Sequence, residues 1–151
     1  MSENDRMVKL SRSALTPYTA HEMYTLVADV AVYPEFLPWC ASGQVSKYSD
    51  EEVRATIRLS YFGVEQVFTT NNRMQPDKRI EMHLAEGPFR RLEGVWRFGA
   101  LGTQGCKVSL SLEYEFSNSL LALVIGPVFN PIADHLVDAF HKRARAIYGV
   151  R

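Results

Sequence analysis

The sequence predicts an α+β domain in which a curved, mostly antiparallel sheet of about seven strands closes around one long C-terminal helix. Three observations carry this. From 118 to 148 the large apolar residues recur at helical spacing. From 42 to 117 they alternate at period two between turn residues. The strands also follow one another through short connections before the helix begins, which favours antiparallel pairing and segregates helix from sheet.

Wound at about 100° per residue, Leu121, Ile125, Val128, Phe129, Ile132, Leu136, Phe140 and Ile147 share one side of the C-terminal segment, and Asp134, Asp138, His141, Lys142 and Arg145 the other. Pro127 and Pro131 fall on the polar side. A proline inside a helix removes a backbone hydrogen bond and clashes one turn back. The pattern therefore predicts either a helix bent around what lies beneath it, or a break in which Asn130 caps and Pro131 opens a second helix. At about 1.5 Å per residue the segment reaches roughly 45 Å, enough to cross a domain of this size.

Met7 to Leu15 alternates as a first strand and Thr16-Pro17 ends it. Thr19 stands three residues before Glu22, a capping box, and Met23, Leu26, Val27 and Val30 then give a short amphipathic helix. The stretch Tyr33-Pro34-Glu35-Phe36-Leu37-Pro38-Trp39-Cys40 carries two prolines four apart, so it reads as a loop or single turn with large apolar side chains to bury or use. Six strands follow: 44–48, 53–61, 64–74, 80–85, 91–98 and 107–116. Gly87-Pro88-Phe89 makes a tight turn, and Gly99 to Gly105 reads as a flexible connection.

At 151 residues the chain suits one domain spanning 1–151, with a flexible polar tail over 1–6. Its 46% apolar against 23% charged residues argue against disorder. Basic and acidic residues balance at 17 each, against a DNA binder that relies on bulk charge, although a local patch stays open. Cys40 and Cys106 lack metal-ligand spacing, and the polar N-terminus does not read as a signal peptide, so a cytoplasmic protein with two free thiols is expected. The uncharged run 116–133 is interrupted by Gly126, Pro127 and Pro131 and is at the short limit for spanning a bilayer; it does not read as a transmembrane segment.

Four motifs in order carry a resemblance: Tyr33-Pro34-x-Phe36-Leu37-Pro38-Trp39-Cys40, Gly87-Pro88-Phe89-x-x-Leu92-x-Gly94-x-Trp96-x-Phe98, Gly126-Pro127-Val128-Phe129, and Ala139-Phe140-x-x-Arg143-Ala144. From about Lys9 to Tyr148 the chain resembles the coenzyme-Q-binding branch of the START-like (polyketide cyclase/lipid transport) superfamily, a branch that includes a ribosome association toxin. The resemblance implies a helix-grip fold with an apolar cavity between sheet and C-terminal helix. It also implies a ubiquinone-like polyprenyl quinone or related lipid as ligand, with no required cofactor. The function expected is that of a non-enzymatic carrier or chaperone in respiration or quinone biosynthesis, monomeric, cytoplasmic or peripheral at the inner membrane surface. The alternative from another class is a toxin that binds a ribosomal subunit and blocks subunit association; a polyketide or aromatic cyclase is the third.

The expected ligand-contacting residues follow from the inward faces together with that resemblance. On the strands they are Phe68, Met82, Leu84, Trp96, Phe98, Tyr114 and Phe116. On the helix they are Leu121, Ile125, Val128, Phe129 and Ile132; Val128 and Ile132 lie within about 40° on the wheel. Tyr33, Phe36, Leu37, Pro38 and Trp39, with Pro88 and Phe89, would form the pocket mouth or a membrane-touching tip. All of these residue types at these periods also serve as plain core. Gly94, among large inward residues, either removes volume or marks a sheet bend.

Catalytic and metal constellations are thin. His21, His83, His135 and His141 lack metal spacing, and no nucleophile elbow or phosphate-cradling loop occurs. Glu86 reads as a solvated strand end that could also meet a ligand head group. Lys78, Arg79, Arg90, Arg91 and Arg97 form a basic cluster that reads as solvated surface or as a contact for ribosomal RNA or anionic lipid. Arg143 is anomalous because the wheel sets it on the apolar side.

Overall fold

Seven strands run through the described residues: β1 (Val8–Thr16), β2 (Cys40–Lys47), β3 (Glu52–Tyr61), β4 (Val64–Gln75), β5 (Arg79–Glu86), β6 (Phe89–Leu101) and β7 (Gly105–Phe116). The computed structural model describes residues 7–151, so the flexible tail expected over 1–6 lies outside the described residues. The strands pair in the order β1-β7-β6-β5-β4-β3-β2, all antiparallel. Each of β2 to β7 pairs with its neighbour in sequence, as short connections require, and β1 joins the free edge of β7.

The sheet curves because its ladder is irregular at three places. Register shifts fall between Cys40 and Ser42, between Thr69 and Thr70, and between Phe89 and Arg91. Each extra residue bends its strand and increases the local twist. The expected flexible connection from Gly99 to Gly105 is mostly strand: Gly99 pairs with Lys107 and Ala100 with Cys106, leaving a turn only at 102–104. Extending the hairpin satisfies backbone groups that a loop would leave to water.

Helix α1 (Ala20–Ala28) begins as the capping box predicts, with Glu22 N–H on the Thr19 hydroxyl and Thr19 N–H on the Glu22 carboxylate. It buries Met23 and Val27. A 3₁₀ turn (Val30–Glu35) follows and lies on β2. That approach requires glycine: a Cβ on Gly43 would sit 2.2 Å from the Val30 carbonyl oxygen.

The C-terminal segment is two helices, α2 (Ser119–Asp134) and α3 (Leu136–Tyr148), bent by 49°. The bend lies at His135, and neither sequence-based alternative places it there. α2 continues through both prolines, which are exposed, so the carbonyls they leave unpaired face away from the core. Asn130 does not cap a new helix, because its Oδ1 accepts from the Tyr114 hydroxyl at 2.5 Å and ties α2 to β7. The bend also shifts the helical phase. On α3 the buried stripe is Val137, Phe140 and Ala144, whereas Ile147, expected on the apolar face, is half exposed.

Phe140 is fully buried and meets the rings of Trp96, Tyr33 and Phe36 at 5.3, 5.3 and 5.4 Å. This ring cluster holds α3 on the sheet, with edge-to-face geometry that favours each pair. The chain end is tied to the segment just before α1 by the Tyr18 hydroxyl, which donates to the Gly149 carbonyl at 2.6 Å. Among the described residues no single helix is long and apolar enough to cross a membrane.

Candidate functional site

Between the concave sheet face and the helices lies a cavity of about 100 Å³. Period-two alternation supplies its sheet wall: Val53, Ala55 and Ile57 from β3, Phe68, Thr70, Asn72 and Met74 from β4, Ile80 and Met82 from β5. Leu92, Trp96 and Leu112 complete that wall from β6 and β7. Val27, Ala28, Val30, Tyr33 and Trp39 close one side, and Phe129, Ile132, Ala133 and Leu136 form the roof. Small residues at Ala28, Ala55 and Ala133, facing large ones, leave space that a uniformly large lining would fill.

The lining is apolar except at Thr70 and Asn72. Asn72 is 7% exposed, and its side-chain Oδ1 has no hydrogen-bond partner. Register explains the orphan: Asn72 pairs with Val53 on one side and Met82 on the other, and its same-face neighbours on β4 are Thr70 and Met74. Sequence reasoning missed Asn72 and Thr70, although continuing the inward period from Phe68 reaches both. The signal available was a polar residue on an apolar face.

Of the residues expected at the ligand, Tyr33, Trp39, Phe68, Met82, Trp96, Phe129 and Ile132 line the cavity. The others lie elsewhere. Phe89, Tyr114 and Phe116 pack with Phe129 at centroid distances of 5.1, 4.9 and 5.9 Å, a closed aromatic cluster beside the cavity. Phe98 stacks on Trp96 and meets Tyr24. Leu37 and Ile125 are core residues at 1% exposed, and Pro38 is exposed. Leu84, Pro88, Leu121 and Val128 are half-buried outside the lining, so the expected pairing of Val128 with Ile132 at the cavity reduces to Ile132.

The Tyr33–Cys40 stretch therefore divides its side chains between cavity and core. Phe36 lies under the Arg143 guanidinium, 4.8 Å from its ring centroid, and Glu35 pairs with Arg143 at 3.5 Å. This accounts for a cation on the apolar side of the wheel: the charge rests on an aromatic face and on a carboxylate. Gly94 does not leave a void. A Cβ there would meet Met82 Cε at 2.6 Å and Leu112 Cδ1 at 2.9 Å, because those side chains already occupy the space.

Tyr33 is the titratable side chain of the lining, and burial pushes its pKa up. Its hydroxyl donates to the Val27 carbonyl, so it stays protonated and committed. Glu86, expected at a strand end, is exposed there and faces Arg54 at 3.5 Å. His135 is also exposed. Among the described residues no cluster of His, Cys, Asp or Glu could hold a metal ion. Much of the basic cluster on the outer sheet face is ion-paired: Arg79 with Glu81, Arg90 with Glu115, Arg91 with Glu93 and Glu113.

Known proteins share this arrangement. Residues 16–141 match the family described as polyketide cyclase / dehydrase and lipid transport. The chain is 44% identical over 140 residues to the ribosome association toxin RatA of Pseudomonas aeruginosa, covering 93% of this chain and 97% of that one. It is 28% identical over 149 residues to a mitochondrial coenzyme Q-binding protein homolog of Xenopus laevis, covering 95% of this chain but 61% of the relative. A START superfamily protein of Mycobacterium smegmatis superposes with a TM-score of 0.76 at 19% identity, over 92% of this chain and 98% of that one. With the sheet, the gripping helices and near-full-length identity in agreement, this chain belongs to the polyketide cyclase/lipid transport (START-like) family, among its RatA-like and coenzyme-Q-binding-like members.

Proposed function

We propose that this chain acts on ribosome association by binding a ribosomal subunit. The observation that carries the reading is 44% identity along 93% of the chain to a protein named as a ribosome association toxin. The net charge is zero, so such contact depends on local cations that stand clear of the ion-paired lattice; Arg73, Lys78 and Arg97 are exposed on and beside β4, β5 and β6. Counterion release makes contact of this kind steeply salt-dependent. Sedimentation with purified ribosomes at low salt tests it. Co-migration with one subunit and a fall in joined ribosomes is expected; protein left at the top of the gradient with full subunit association overturns the reading.

A second reading is favoured by the cavity: a non-enzymatic carrier of an apolar ligand of the quinone or lipid class. A dry cavity of about 150 Å³ accepts benzene in a protein core, so about 100 Å³ approaches the size of a single ring, and a substituted head group or a polyprenyl tail requires the helices to part. Turnover as a cyclase is less well supported, because general acid–base work needs a group that exchanges protons near neutral pH, and Tyr33 holds its proton. Mass spectrometry of protein purified from its native host tests the carrier reading. Co-purified quinone or lipid is expected; protein free of both, and unable to take up either when offered, overturns it.

A further inference from the structure

Asn72 is a polar group without a protein partner in the middle of an apolar wall. It is 7% exposed and its Oδ1 makes no hydrogen bond. An unmade hydrogen bond on a buried amide costs about 1–3 kcal/mol, and leucine at the same place would carry no such cost. Val53 and Met82 across the strands, and Met74 along β4, offer no hydrogen to donate, and the Thr70 hydroxyl, the other same-face neighbour, makes no bond to it.

The surroundings define what would relieve it. The space is ring-sized, about 100 Å³, and aromatic side chains of Tyr33, Trp39, Phe68, Trp96 and Phe129 stand around it. An amide oxygen accepts and cannot donate. A ligand that relieves this oxygen therefore brings a hydrogen-bond donor on an otherwise apolar ring.

We propose that Asn72 is the polar recognition element of the cavity and that the cavity takes a small aromatic ring bearing a hydroxyl group, whose O–H donates to Asn72 Oδ1. This inference rests on the carrier reading and sharpens it. Quinone-type rings are distinguished by it according to oxidation state, since the reduced hydroquinone carries O–H donors and the oxidised quinone carries only acceptors.

The experiment uses p-cresol and p-xylene, which differ by a hydroxyl in place of a methyl, with NMR titrations of the full chain and of Asn72→Leu. Without the Asn72 acceptor, burying the hydroxyl disfavours p-cresol. The expected result is a ratio of affinities, p-cresol over p-xylene, roughly tenfold higher in the parent than in Asn72→Leu. The variant should melt at or above the parent temperature, because it removes an unsatisfied group at similar volume. Equal ratios in the two proteins overturn the assignment to Asn72 while leaving a ligand-binding cavity in place. Failure of both probes to bind the parent overturns the inference, while the carrier reading stands or falls on uptake of quinone or lipid. If Asn72→Leu does not fold, Asn72→Val replaces it. Valine has no acceptor and suits a strand, so a ratio unchanged from the parent would then count against the proposal.

Discussion

Arg151 closes both guanidinium nitrogens on the Glu22 carboxylate, Nη1 to Oε1 at 2.6 Å and Nη2 to Oε2 at 2.9 Å. The same carboxylate accepts the Thr19 N–H at 2.9 Å, so one side chain caps α1 and fastens the chain end to it. Arg151 first, then the Thr19 N–H, holds the Glu22 carboxyl below its ordinary value of 4.5. A carboxylate depressed in the folded state contributes stability above its unfolded pKa and loses it as pH falls through the folded pKa. Arg151→Ala should therefore lower the melting temperature at pH 7. The gap to the parent should narrow below about pH 4.5; thermal melts from pH 3 to 7 check this.

Filling the cavity distinguishes space from core. Ala133 is 2% exposed and lines the cavity roof. Ala133→Leu should retain or raise stability, by about 0.5–2 kcal/mol where the new carbons occupy the void, and should abolish p-cresol or quinone uptake. Overpacked core would instead lose about 1–3 kcal/mol. Denaturant unfolding and ligand titration on one sample read both effects.

Gly43→Ala is expected to be among the costliest single changes. The added Cβ would stand 2.2 Å from the Val30 carbonyl oxygen, a backbone atom that cannot turn aside. The 3₁₀ turn must lift from β2, at a cost of about 3 kcal/mol. Differential scanning calorimetry should show a melting temperature about 6–12 °C lower.

Both cysteines should be unreactive in the folded protein. Cys106 is 0% exposed and burial raises its thiol to about 11; Cys40 is buried and also raised. The thiolate is the reacting form. Ellman's reagent at pH 8 should label neither thiol on the minute scale, and both on addition of guanidinium. Prompt labelling of Cys106 in native buffer would contradict the burial.

Period two in strands 53–61, 91–98 and 107–116 determined which side chains face inward, because alternation on a pleated backbone leaves one choice once a face is apolar. The Thr19–Glu22 box determined where α1 starts, since both hydrogen bonds are local. The apolar run of 121–140 determined that helices close the sheet. Tertiary structure decided the bend at His135, where straight-helix phasing misplaced Ile147, and the engagement of Asn130 by Tyr114, 16 residues apart. It also decided which inward residues meet empty space. Ile125 and Ile132 share one stripe, yet Ile125 is packed and Ile132 lines the cavity. An inward position becomes core or cavity according to how far side chains from other elements reach, as Met82 and Leu112 reach over Gly94 and none reaches the oxygen of Asn72. That depends on distances between elements, which periodicity within one element does not contain.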